Sequence, residues 1–230
     1  MIMSREKRLR DMVKFGDLSE INNILKSNIS LIDKHLEFIR TNLERTERNL
    51  VLYNLLAKTR LYLYCLMKSL NEPTELLGFI TRCLFELNLI TRYVLMNEEN
   101  LKRFVAQTGE DKIEILEDIL EFREDSSEEN VRIIEEEINR LKGLKQKYDL
   151  TSIKSLPSFK NIAHIVGLEK EYKALYKLFS KYVHPTPYII NGSSEEIHSN
   201  EIRNIFLIYA QLYAGDTFQR IKEETYGNVA

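Results

Sequence analysis

Along this chain the apolar positions recur at steps of three and four, and no stretch shows the period-two alternation of a half-buried strand. Residues 4–27 predict one or two short helices broken near Gly16. From Ile29 to Leu70 the helical spacing is nearly continuous, through Leu31, Ile32, His35, Leu36, Ile39 and Leu43. Past Leu50 the pattern becomes apolar almost all round, through Leu52, Leu55, Leu56, Leu61, Leu63 and Leu66, as in a central helix. The segment reads as one very long helix or as two with a break near Thr46. Asn71-Glu72-Pro73 ends it, and Pro73 suits the first position of a helix running to about Met96. Asn97 then starts a shorter helix, expected to stop near Thr108-Gly109.

Acidic residues crowd the next stretch: Glu110, Asp111, Glu114, Glu117, Asp118, Glu121, Glu124 and Asp125. Ile113, Leu116, Ile119 and Leu120 still form a helical stripe there. Ser126 with Glu129 resembles a capping box for a helix over about 127–147. That helix ends on Arg140, Lys142, Lys145 and Lys147, so acid comes early and base late, as the helix dipole favours. Residues 109–148 therefore predict a charged antiparallel helical hairpin that projects from the core. Beyond a linker with Pro157, a short helix stops at Gly167, and residues 168–184 predict a clean helix stopped by Pro185 and Pro187. Residues 185–198 read as an irregular loop, and 199–225 as the last helix. The expectation is an all-α fold: an irregular multi-helix bundle with long central helices, one domain over 1–230, and the charged hairpin as an excursion.

Composition supports helix, because the 8 glycines and 4 prolines are few. The net charge of −2 gives no overall pull toward nucleic acid or a membrane, so any such role must rest on local patches. Residues 50–67 and 76–96 are apolar enough to need a membrane test. They carry Asn54, Lys58 and Arg60, and Arg82, Glu86, Asn88 and Arg92. A central charge costs roughly 2.5–3.5 kcal/mol on insertion, so buried core helices and a cytoplasmic protein are expected. Cys65 and Cys83 read as buried free thiols, and with four scattered histidines they make no metal pattern.

Two places can carry chemistry. Arg82 and Glu86 lie four apart on one helix face, with Phe79, Leu89 and Tyr93 beside them. A charged pair among apolar groups either locks helix register or holds a phosphate or a catalytic histidine. The second place is the helix end Tyr-Lys-Leu-Phe-Ser-Lys-Tyr-Val-His-Pro-Thr-Pro, residues 176–187. Leu168, Tyr172, Leu175, Phe179 and Val183 form its expected buried stripe, and Lys170, Lys173, Lys177 and Lys181 lie opposite. Ser180 borders that basic face, and His184 projects toward it. A histidine can exchange a proton near neutral pH, and lysines around it can hold phosphate. The plain alternative is a histidine favoured by the helix dipole beside solvated lysines. His164 reads as a packing histidine, while His35 and His198 give no signal. A Gly-rich phosphate loop, GxSxG, HExxH and CxxC are all absent from the sequence.

An Arg-x-x-x-Glu helix followed by a Ser-x-x-x-His-Pro helix end resembles a family of uncharacterised bacterial all-helical proteins, some found near mobile-element and phage-defence genes. The residues are Arg82 and Glu86, then Ser180, His184 and Pro185, and the likeness spans roughly residues 30–220. That family is similar in style to the HEPN helical domains, several of which cleave RNA. Their hallmark is an arginine, four to six intervening residues, then a histidine. Here Lys177, Leu178 and Phe179 stand at the matching positions, so Arg82 would supply the arginine from another helix.

The resemblance implies an RNA- or nucleotide-binding protein, and a metal-independent ribonuclease if it is an enzyme, with no cofactor. Arg82 would stabilise phosphate, Glu86 would orient it and His184 would move the proton. Ser180, Lys177, Lys181 and Tyr93 would bind substrate. The alternative is a non-catalytic interaction module that docks a protein on the acidic hairpin and forms a homodimer through its helices.

Overall fold

The computed structural model describes residues 9–122 and 127–227, which are helical with no strand among them. The chain forms two compact units. One comprises the chain up to Tyr93 together with everything from Phe159 onward, and the other is Val94–Ser158.

In the first unit, α1 (Leu18–Asn42) begins where the Asp17 carboxylate accepts the N–H groups of Ser19 and Glu20. Gly16, at φ 88°, makes the turn before it, as expected. Helix α1 buries Ile21, Leu25, Ile29, Ile32 and Ile39, and it ends at Leu43. The break near Thr46 is real: Thr46 caps α2 (Glu47–Lys68) by accepting from the Asn49 N–H at 3.2 Å. Helix α2 is not buried all round. It packs Leu52, Leu55, Leu56, Leu63 and Leu66 inward and leaves Leu50, Leu61 and Tyr64 exposed. Helix α3 (Thr74–Met96) starts one residue after Pro73 and ends where expected.

The helix buried on most sides is the last one, Asn200–Gly227, labelled α11 below. Phe206, Ala210, Ala214, Phe218 and Ile221 are buried together with Gln211, Asp216 and Thr217. Gln211 and Asp216 are satisfied, whereas Gln219 Oε1 is buried without a hydrogen-bond partner among the described residues. Gln211 exchanges hydrogen bonds with the Lys14 backbone, and Asp216 accepts from Asn88, Arg92 and Arg220 at 2.8, 2.8 and 2.6 Å. Near its start Arg203 donates to the Leu70 and Glu72 carbonyls, which ties down the turn before α3.

In the second unit, α4 (Glu98–Glu121) is capped by Asn97 and α5 (Glu128–Lys147) by Ser127. The expected stop at Thr108-Gly109 does not occur, because α4 runs through both residues. Ser127 takes the cap by accepting from the Asn130 N–H, while Ser126, Glu124 and Asp125 lie outside the described residues. The two helices pack through Ile113, Leu116, Leu120, Ile134, Ile138 and Leu141. Ile119, expected in that stripe, is 48% exposed instead. Ion pairs Lys112–Glu137 (2.6 Å), Lys142–Glu117 (2.7 Å) and Lys145–Glu110 cross between the helices.

Back in the first unit, α6 (Phe159–Ile165) ends before Gly167 at φ 76°. The helix expected over 168–184 is not a single clean one. It divides into α7 (Glu169–Glu171), a π-helical segment Tyr172–Tyr176, and α8 (Lys177–Val183). The π insertion turns the expected stripe, so Phe179 and Tyr182 are fully buried while Tyr172, Leu175 and Val183 are half-buried. Nor is 185–198 irregular throughout, since it holds the short helices α9 (Pro187–Asn191) and α10 (Ser194–Ile197) before α11. No helix among the described residues is long and apolar enough to cross a membrane.

Candidate functional site: an arginine between a carboxylate, a tyrosine and a histidine

Helix α3 is the backbone of the site. Its inner side is anchored by Thr81, whose hydroxyl meets the Leu77 and Phe206 carbonyls. Phe85 packs against Tyr213 and Phe179, with ring centres 4.7 and 6.2 Å away. Gly78, one turn before Arg82, lets α8 come very close. A Cβ on Gly78 would stand 2.9 Å from the Tyr182 Cβ, which only a missing side chain permits. This close approach sets the end of α8 against the Arg82 side of α3.

At that end the chain leaves the helix. His184 has φ −108° and ψ 149°, as the following proline requires, and its N–H still donates to the Ser180 carbonyl. The imidazole is therefore turned away from the helical projection and toward α3. Its Nε2 lies 3.3 Å from Nη1 of Arg82. Arginine can only donate, so Nε2 holds its lone pair toward Arg82 and the ring proton of that state sits on Nδ1.

All three guanidinium nitrogens of Arg82 are engaged. Nε donates to Glu86 Oε1 at 2.9 Å, Nη1 meets His184, and Nη2 donates to the Tyr176 hydroxyl. The guanidinium carbon is also 4.5 Å from the centre of the Tyr176 ring. Arg82 and Glu86 are each about one-fifth exposed, so water weakens their pairing less than at an open surface. Burial opposes the charge on Arg82, but the bonds and charges of Glu86 and Tyr176 outweigh it and hold the pKa above its ordinary value. The result is a permanent cation, fixed by a carboxylate, with a histidine lone pair at its edge.

Beside it opens a cleft of about 510 Å³, lined by Lys160, Glu169, Tyr172, Lys173, Tyr176, Lys177 and Ser180. The Tyr172 and Tyr176 rings stack at 4.4 Å within the π-helical segment, and the Tyr213 hydroxyl donates at 2.8 Å to Glu171 of α7, just before that segment.

The structure thus brings Arg82, Glu86 and His184 together and sets Ser180 and Lys177 in the adjoining wall. Two expected substrate-binding residues fall elsewhere. Tyr93 is 1% exposed and belongs to the core, and Lys181 is exposed but lines no part of the cleft. His164 is not a packing residue. Its side chain is 74% exposed and pairs with Glu169 at 3.0 Å. Tyr176 is the residue that sequence reasoning missed, although its four-residue spacing from Tyr172 was a readable sign of a pair. The cysteines are free thiols, half-buried rather than buried, and burial pushes the Cys83 thiol up.

The fold and site define an all-helical protein with a guanidinium–imidazole pair beside a lysine-rich cleft. A family model described as a family of unknown function (DUF5677) matches residues 78–200. That is more than half of the chain, and the chain belongs to this family; the match contains Arg82, Glu86, Ser180 and His184. No curated protein and no solved structure matches the chain.

Proposed function

We propose that this protein binds RNA and cleaves it with His184 and Arg82, as a HEPN-like ribonuclease of bacterial defence or toxin systems. The observation that carries the reading is Arg82, held by Glu86 and Tyr176 with His184 Nε2 at 3.3 Å, at the edge of a lysine-lined cleft. A scissile phosphate entering there competes for the guanidinium, because an anion attracts Arg82 more strongly than a neutral imidazole does. That exchange frees the Nε2 lone pair. Nε2 then takes the proton of the neighbouring ribose 2′-hydroxyl, and the 2′-oxygen attacks phosphorus. The bond to the 5′-oxygen breaks, that oxygen takes a proton from water, and the hydroxide left takes the proton held by His184. The products are a 2′,3′-cyclic phosphate and a 5′-hydroxyl end. Arg82 balances the charge that builds on phosphorus-bound oxygen, and Glu86 keeps it aimed.

The test is cleavage of single-stranded RNA in the presence of a chelator, with circular dichroism to check folding. His184→Ala and Arg82→Ala should each lower the rate about 10²–10⁴-fold. An unchanged rate in folded His184→Ala protein ends the catalytic reading.

A second reading has its own observation. On α4, Ile115 and Ile119 are 58% and 48% exposed, and Phe122, which caps its end, is 85% exposed, at helical spacing among Glu114, Glu117, Asp118 and Glu121. An acid-flanked apolar stripe suits a basic amphipathic helix of another protein. Replacing the three by serine should abolish capture of such a partner while α4 and α5 stay paired; undiminished capture sinks this reading.

A further inference from the structure

Three lysines share the cleft. Lys173 and Lys177 come from the π-helical segment and the start of α8, and Lys160 comes from α6 across the opening. None of the three forms an ion pair among the described residues. Like charges gathered in one concavity repel, and solvation alone gives no reason for residues from two separate elements to converge there. The one carboxylate in the wall, Glu169, is turned to His164 at 3.0 Å, and its carboxyl is held below the usual range first by that bond and further by Lys160 and Lys173. The cleft therefore carries a net positive field with donors to spare. Its volume of about 510 Å³ is far larger than a lone phosphate needs and falls within the range of small-ligand sites. It shares a wall with the cleavage pair, because Tyr176 both lines the cleft and accepts from Arg82. The Ser180 side chain lines it too, one helical turn before His184. A cavity of this size is large enough for one nucleotide.

We infer that the Lys160–Lys173–Lys177 cleft is a second phosphate subsite, which holds the nucleotide next to the scissile phosphate of a single-stranded RNA. This rests on the reading of Arg82 and His184 as the cleaving pair. Substrates then need at least two phosphates, one on Arg82 and one on the lysines. A mononucleotide fills only half of the site. The lysines act on binding rather than on the chemical step, so their removal raises KM and leaves kcat in place.

The experiment uses the full chain and a short, fluorescently labelled 2′-O-methyl RNA, which binds but cannot be cut. Anisotropy gives its affinity across a salt series for wild type, for the Lys173→Gln/Lys177→Gln double variant, for Lys160→Gln, and for Lys34→Gln on α1 as control. The double variant should bind about tenfold or more weakly, and its salt slope should fall by about 0.7, the loss of one single-strand phosphate contact. Lys34→Gln should match wild type. Affinity of the double variant within twofold of wild type overturns the subsite, as does wild type that binds no RNA. A mononucleotide or inorganic phosphate that competes as well as the oligomer also overturns it. The two readings fail separately. Cleavage that needs His184 but ignores the lysines removes the subsite alone. RNA binding that needs the lysines, with no cleavage that depends on His184, removes the ribonuclease alone.

Discussion

Charged pairs and mid-helix glycines occur in both units of this protein, and their surroundings give them opposite meanings. In the hairpin, Lys112–Glu137 and Lys142–Glu117 cross between helices with side chains 29–53% exposed. Their partners are interchangeable with water, so they set little beyond the pairing of the helices. In the larger unit, Arg82–Glu86 is about one-fifth exposed, and Asp216 is 8% exposed between Arg92 and Arg220. There each ion has few substitutes for its partner, and its direction is fixed. The glycines divide the same way. Gly78 is where two helices nearly touch, whereas a Cβ on Gly109 meets only the Lys145 side chain at 3.8 Å. Burial decides whether a charge or a missing side chain is a positioning device or an ordinary surface feature.

The largest test of this contrast is Asp216→Ala. It leaves Arg92 and Arg220 facing each other without their carboxylate and should cost about 3–5 kcal/mol by urea unfolding. A loss below about 1 kcal/mol, as expected at the surface, breaks the comparison.

Next is His35, buried among Phe38, Phe218 and Tyr226 with its Nε2 2.9 Å from the Thr225 hydroxyl. Burial first, then the charge of Lys222, lowers its pKa to about 4. The folded state thus refuses a proton that the unfolded chain accepts below about 6.5. Stability is full above that pH and falls as pH drops toward 4, by about 3 kcal/mol in all. His35→Leu should flatten the curve across this window. Equal slopes for both proteins would refute the assignment.

The glycines should respond with opposite signs. Gly78→Ala forces α8 off α3, which should cost about 1–3 kcal/mol and separate His184 from Arg82, lowering RNA cleavage as well. Gly109→Ala should stabilise the hairpin by about 0.5–1 kcal/mol, because it relieves a glycine in mid-helix with room for the methyl group. Thermal melts of the two variants read the signs directly, and a shift in the same direction for both contradicts the contrast. Smallest is Lys142→Ala, expected to lose no more than about 1 kcal/mol of stability and to move less in high salt.

Much of this architecture is written in local chemistry. The start at Asn97 and the turns at Gly16 and Gly167 were legible because caps and glycine conformations depend on neighbouring residues alone, whereas the break at Thr46 was one of two readings the sequence left open. The Arg82–Glu86 pair was legible for the same reason, since four-residue spacing fixes contact within a helix. Misreadings came where local rules compete with packing. Gly109 looked like a terminus, but the stripe of Ile113, Leu116 and Leu120 against α5 carries the helix through it. Tyr93 shares a helical face with Arg82, yet it is buried while Arg82 is about one-fifth exposed and bonds Tyr176, which lines the cleft. Periodicity has no means of registering the π insertion at Tyr172–Tyr176, which redirects every side chain around it.

By itself, then, the sequence determined that the fold is all-α, where some helices begin and end, and that Arg82 and Glu86 pair. Only the tertiary structure decided that Arg82 meets His184, which is 102 residues away, and that Tyr176 and three lysines stand beside them. The reason is physical. Spacing along a helix sets which residues share a face, but which faces meet depends on close packing among all the helices at once. Here that packing turns on the bare backbone of Gly78 against Tyr182 and on the extended conformation that Pro185 imposes on His184.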